Sequence, residues 1–267
     1  MPLISALLLI AFQSAGPFQN SFSPGLQERV PSNVVDYSLT RLNFEDSVQH
    51  LYTTLGLEHY NLSYEVFRYG MIGFYSLKQE GKLGDKNLVT IIDFTKPSTQ
   101  KRFYTIDLDQ VRVKYYTYVS HGKNTGDTMA QRFSNVVYSN QSSLGFYVTA
   151  ETYIGSKGFS LKLDGTEKGY NDKLRERAVV MHEAEYVSEH WIKTYGRLGR
   201  SQGCPALPKE ISKEVIGAIQ DRTVIFAYFN DETYLRSSTY LNIDLLWNRF
   251  GANQGSSTQG SIEASIH

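Results

Sequence analysis

The feature that most limits the fold of this chain is a train of short apolar and β-branched runs between residues 88 and 229. They are Leu88–Phe94, Phe103–Leu108, Val111–Val119, Asn135–Tyr138, Gly145–Tyr153, Phe159–Leu163, Ala178–His182 and Thr223–Phe229. Turn-forming groups separate them: Lys96-Pro97-Ser98, Asn124-Thr125-Gly126 and Asp164-Gly165. Such runs read as strands. Several in close succession predict a sandwich or a barrel. The 19 Tyr and 14 Phe suit pleated, half-buried surfaces.

Helical spacing appears on either side of the early strands. Phe44, Val48, Leu51, Tyr52 and Leu55 recur at helical intervals, as do Phe67, Met71, Phe74 and Leu77. They predict two helices with core-facing stripes. A later helix is predicted after Pro208, with Ile211, Val215, Ile216 and Ile219 on one face. The expected fold is therefore α+β and mainly β, with N-terminal helices and one late helix.

The ends differ from the middle. Leu3–Phe12 is an apolar run of about ten residues, too short to span a bilayer. It fits the h-region of a secretory signal peptide over 1–15, with a small-residue exit at Ala15. The other reading is an apolar segment packed on the domain. Residues 16–42 begin with a Pro/Ser/Gln/Asn-rich stretch and read as a linker; 43–84 form the helical unit. Residues 85–250 form the main domain, and 251–267 read as a disordered tail rich in Gly, Ser and Gln.

Charge and cysteine content narrow the function. Lys plus Arg is 27 and Asp plus Glu is 27, which argues against binding nucleic acid through bulk positive charge. The one cysteine, Cys204, excludes an internal disulfide framework and any multi-cysteine metal site. Residues 122–128 lack the glycine spacing and Gly-Lys-Ser/Thr ending of a phosphate loop. His182-Glu183 lacks the second histidine of a zinc helix, because position 186 is Tyr186. No Gly-x-Ser-x-Gly elbow is present.

Cys204 lies in Arg200-Ser201-Gln202-Gly203-Cys204-Pro205-Ala206, a polar, glycine-containing turn. A lone cysteine can be an inert, buried small hydrophobe. It can also be a nucleophile, for which the neighbours are suited. Gly203 permits close approach to a ligand, turn N–H groups can face an oxyanion, and Arg200 is near enough in sequence to lower the thiol pKa. A nucleophilic cysteine needs a base. Among six histidines, His182 ends an apolar strand-like run and lies 22 residues before Cys204. A strand end can aim an imidazole at a loop.

The order His182, then Tyr195-Gly196-Arg197-Leu198-Gly199-Arg200-Ser201-Gln202-Gly203-Cys204-Pro205-Ala206, resembles murein L,D-transpeptidase catalytic domains. The match is to the branch with a Ser-x-Gly-Cys-Pro-Ala motif. Ile91–Ser98, His121–Asn124, Ser142–Tyr147 and Leu161–Gly165 occur in the expected order. The better-known branch has His and Arg or Asn where this chain has Gln202 and Ala206. Such enzymes usually carry Gly where this chain has Glu183, beside a backbone carbonyl implied to orient the histidine.

The resemblance implies an L,D-transpeptidase-like β-sandwich or barrel and cysteine acyl transfer on peptidoglycan stem peptides in the cell envelope, periplasmic or secreted. Membrane contact would come only through an uncleaved N-terminal segment. Cys204 would be the nucleophile and His182 the general base. Gly203 and Cys204 N–H groups would hold the oxyanion, with Ser201 and Gln202 in support. Ser201 would either orient His182 or bond its own turn. His121 would either line the cleft or sit in a solvated turn. No metal or organic cofactor is implied. Hydrolysis by the same residues would make an L,D-carboxypeptidase; a non-catalytic wall-binding module is the remaining alternative.

Overall fold

A computed structural model describes residues 32–248, with side chains from residue 43 onward. The expected signal segment 1–15, the linker up to residue 31 and the tail 251–267 lie outside the described residues. The remainder of the expected linker, 32–42, is helical: α1 spans Ser32–Thr54. Among the described residues, no helix is long and apolar enough to cross a membrane.

A 3-10 turn at Leu57–Tyr60 leads into α2, Tyr64–Gln79. Ser63 caps α2 by accepting from the Val66 N–H at 3.3 Å. Its buried stripe contains Phe67, Met71, Phe74 and Leu77, the residues that periodicity assigned to the core. Gly73 lets α2 lie close to the sheet: a Cβ there would fall 2.0 Å from the Phe146 ring.

The strands follow as β1 Leu88–Asp93, β2 Phe103–Asp107, β3 Arg112–Thr117, β4 Gly145–Gly155, β5 Gly158–Gly165 and β6 Val180–Glu183. Then come α3 Glu189–Tyr195, β7 Ala206–Leu207, α4 Lys209–Ile219, β8 Val224–Tyr228 and α5 Glu232–Ser237. All eight strands join one sheet in the order β3-β2-β1-β8-β4-β5-β6-β7. The β1–β8 and β6–β7 pairs are parallel; the others are antiparallel.

The sheet is covered on both faces. Val89, Ile91, Phe146, Val224 and Phe226 share a core with α1 and α2. Leu88, Ile92, Tyr147, Ile225 and Ala227 share another with Val215, Ile216 and Ile219 of α4. Two-sided burial explains why β1 and β8 read as continuous apolar runs. The outer ends of the sheet also approach each other. Ser120 N–H, just beyond β3, donates to Ala206 O of β7 at 2.9 Å. A parallel bridge joins Gly122 to Ser201. The fold is thus α+β around a nearly closed sheet, the barrel form of the two expected β architectures.

Two expectations change, and one short strand is new. Asn135–Tyr138 is a loop: Val136 and Tyr138 are 67% and 92% exposed, and Tyr138 has φ +62. Its β-favouring residues have neither a partner strand nor a core to face. The late helix is not alone, since α3 and α5 accompany it. α3 has no fully buried residue, so apolar periodicity gives it no signal; Ser188 caps it by accepting from Trp191 N–H at 3.2 Å. β7 is only two residues long.

Candidate active site

β6 carries His182 and pairs with β5 on one side and β7 on the other. His182 lies opposite Ala206, so Val180 falls opposite Cys204. Val180 N–H points at Cys204 Sγ, 3.4 Å away, and Sγ approaches Ala178 O at 3.9 Å. Cys204 and His182 therefore occupy adjacent segments, two residues apart in register. Strand spacing and rise put their Cα atoms roughly 8 Å apart, a span that a thiol and an imidazole can bridge.

His182 is 3% exposed, and its Nδ1 lies 2.7 Å from the backbone oxygen of Glu183. A carbonyl only accepts, so Nδ1 carries the proton and Nε2 is left as the basic nitrogen. The contact is made by the main-chain oxygen of Glu183, which is present with any side chain at that position. Burial pushes the His182 pKa down, the Glu183 carbonyl raises it, and Lys157 adds a further downward push. His182 borders an open cleft of about 370 Å³ with Lys157, Gly158, Glu183, Tyr186 and Lys209.

Cys204 is half-buried. Burial pushes its thiol pKa up; the Val180 N–H and the charges of Arg177 and Lys157 pull the other way. Arg200 does not take the expected part. Its side chain turns to Gly126 O at 3.0 Å and pairs with Asp127 at 3.2 Å, beside Arg197. Closeness in sequence misled because the turn points Arg200 and Cys204 apart. The cation beside the thiol is Arg177, which sequence reasoning missed. It also binds Ser134 O at 2.7 Å, Ser143 Oγ at 2.5 Å, Ser139 Oγ at 3.2 Å and Gln141 O. It thus ties the 134–143 loop to the Gly203–Cys204 turn.

Ser201 holds that turn. Its Oγ accepts from Gly203 N–H at 3.0 Å and donates to Cys204 O at 2.7 Å. The structure therefore favours the turn-bonding alternative over the orienting one. Gly203 N–H, one of the two donors expected at an oxyanion, is taken up by Ser201 here. Gly203 has φ +121, and a Cβ there would fall 2.8 Å from Gln141 O. Only glycine suits this bend. Gln202 is exposed beside it.

His121 is a packing residue, not part of a cleft. It is 1% exposed; Nδ1 accepts from Arg102 Nη2 at 2.7 Å, and Nε2–H donates to Asp127 O at 3.1 Å. Burial, aided by Arg102, holds its pKa at about 3. Arg102 is itself fully buried and also donates to Val119 O and Lys96 O. His121-Gly122 resembled a cleft segment because it lies in the loop that supports the Cys204 turn. Gly122 N–H donates to Ser142 Oγ, which reaches Gly203 O at 3.3 Å; Leu198 N–H donates to Ser98 Oγ. The separated segments of the sequence resemblance thus converge around Cys204.

Tyr186 completes the surroundings. Burial pushes its phenol up to about 12, with a contribution from the nearby Cys204 charge. Its ring lies against Gly199, where a Cβ would fall 2.3 Å from Tyr186 Cβ. Among the described residues, no three His, Cys, Asp or Glu side chains gather as metal ligands.

The solved structures similar to this chain include an L,D-transpeptidase from Mycobacterium smegmatis, at 12% identity and TM-score 0.33, covering 54% of this chain and 59% of that one. An L,D-transpeptidase from Xylanimonas cellulosilytica has 14% identity and TM-score 0.31, covering 54% and 62%. One from Enterococcus faecium has 15% identity and TM-score 0.32, covering 55% and 50%. The chain thus spans less than two thirds of each of these. No curated protein matches the chain. The family profile for the L,D-transpeptidase catalytic domain matches residues 58–228, from the 3-10 turn through β8. With Cys204 and His182 inside that span, the chain belongs to the L,D-transpeptidase catalytic domain family.

Proposed function

We propose that the domain catalyses cysteine-dependent acyl transfer on peptidoglycan stem peptides in the cell envelope, as a murein L,D-transpeptidase. The carrying observation is the pairing of β6 with the Cys204 segment, with His182 tethered through Nδ1 so that Nε2 is the basic nitrogen. Export through segment 1–15 fits a substrate outside the cytoplasmic membrane.

Cys204 gives its proton to His182 Nε2, and its sulfur attacks the carbonyl carbon of stem residue three. Cys204 N–H faces the developing oxyanion; a donor of this kind is worth roughly 3–4 kcal/mol. The C–N bond then breaks, His182 returns the proton to the departing D-alanine nitrogen, and a thioester remains. An acceptor amine attacks the thioester, loses a proton to His182 and regenerates the thiol. Raised thiol and lowered imidazole pKa values favour the neutral resting pair from which this transfer starts.

The test is incubation of the protein with disaccharide tetrapeptide, read by mass spectrometry. Cross-linked dimer is the expected product, abolished by Cys204→Ala without loss of fold. Tripeptide alone would replace transfer by L,D-carboxypeptidation. No product, with retained peptidoglycan binding, would make the domain a non-catalytic wall-binding module.

A further inference from the structure

We propose that Lys157 is the recognition site for the terminal carboxylate of the donor peptide, a reading that rests on the proposed acyl transfer. Lys157 stands in the tight turn between β4 and β5, on the rim of the cleft that His182 borders. The turn touches the catalytic strand. At Gly158, with φ +78, a Cβ would fall 3.1 Å from Glu183 Oε1. Lys157 is exposed, and its charge is felt at both His182 and Cys204.

The other nearby cations are spent. Lys209 pairs with Glu185 at 3.3 Å, and Arg197 and Arg200 pair with Asp127. Arg177 is committed to the 134–143 loop. Lys157 alone among these has no hydrogen-bond or ion-pair partner within the described residues. Glu183 lines the same cleft, against Gly158, so Lys157 rather than Glu183 offers a substrate carboxylate its counter-charge.

The chemistry of the leaving group selects the ligand. His182 must protonate the scissile nitrogen, and that nitrogen belongs to the terminal residue. Its carboxylate lies two bonds further on. A cation on the cleft rim beside His182 is therefore where this carboxylate needs a counter-charge. An ammonium on a flexible stem suits such a point contact.

The experiment compares two donors: disaccharide tetrapeptide with a free terminal carboxylate, and the same peptide ending in a carboxamide. The amide keeps the shape and removes the charge. Lys157→Gln is expected to lower kcat/KM for the acid donor about tenfold or more, mainly through KM, the scale of a lost charge-assisted hydrogen bond. The amide donor should change less than about twofold, and Lys157→Arg should keep most of the acid preference. A weaker electrostatic push on Cys204 or His182 would slow both donors alike. Equal losses with both donors, or no loss, overturn the assignment while leaving acyl transfer intact. A wild-type protein inactive on every donor refutes the acyl-transfer reading and this one with it.

Discussion

Replacing Ser201 with alanine separates two roles that the sequence leaves open. In the structure its hydroxyl accepts from the buried Gly203 N–H and donates to Cys204 O. Alanine strands the N–H, at a cost of about 1–3 kcal/mol, and removes a second hydrogen bond worth about 0.5–1.5 kcal/mol. The expected loss is about 2–4 kcal/mol. For a domain of this size that lowers Tm by roughly 5–15 °C. Thermal unfolding of wild type and Ser201→Ala measures it directly. A second readout is the pH dependence of Cys204 alkylation by iodoacetamide. A turn staple predicts a large Tm change with the histidine inflection in place. An unchanged Tm with a displaced histidine inflection would refute the staple and restore Ser201 as a residue orienting His182.

Three further outcomes follow from the buried groups. His121 has a folded pKa of about 3 against an unfolded value near 6.5. Its neutral form therefore supports the fold above pH 6.5, and this support is lost as pH falls toward 3, by up to about 1.4 kcal/mol per pH unit. Urea unfolding at several pH values should show that slope, flattened in His121→Gln; an equal slope in the variant contradicts the assignment. Burial holds the Cys204 thiol above its usual range, so its alkylation rate should climb on the alkaline side of pH 8.5, and Arg177→Gln should move the curve further up. A high plateau below pH 7 would instead mean a preformed thiolate–imidazolium pair. Glu183→Ala keeps the main-chain carbonyl on His182 Nδ1, so kcat should stay within about threefold, as for a surface change of 0.5 kcal/mol. A hundredfold fall would place the orienting role in the side chain.

The parts of this fold visible in the sequence are those whose burial is periodic. Phe67, Met71, Phe74 and Leu77 announce α2 because one face of it meets the sheet. β1 and β8 announce themselves because both their faces are covered. β7 is silent, since Ala206 and Leu207 become a strand only by pairing with His182 and Glu183. At the site, Cys204 and His182 are recognisable by their neighbours. Arg177, Lys157 and Tyr186 are not, because tertiary packing alone brings them near the thiol. His121 and Arg200 show the reverse error: polar residues in the motif segments, they support the Cys204 turn from behind. The glycine bend and the Ser201 staple are local, and the Gly-Cys pattern does signal them.

The position of β8 has a consequence for how the chain reaches this state. β8 is the last of the described strands in sequence and a central one in space, pairing with β1 and β4. On one side of it β1, β2 and β3 form a meander from nearby residues; on the other, β4, β5 and β6 form a second. Each can assemble early, since its closing loops are short. The β1–β8 contact instead closes a loop of more than a hundred residues, Val89 to Val224, and such non-local pairing sets a slow, millisecond-to-second timescale. During synthesis the two meanders must wait for residues 224–228 before one continuous sheet can form. Cys204 and His182 both belong to the second meander and its edge. Their pairing through β6 and β7 is local and can form early, whereas the bridge from Gly122 to Ser201, which sets the Cys204 turn against the far end of the sheet, has to wait until β8 has joined the two meanders.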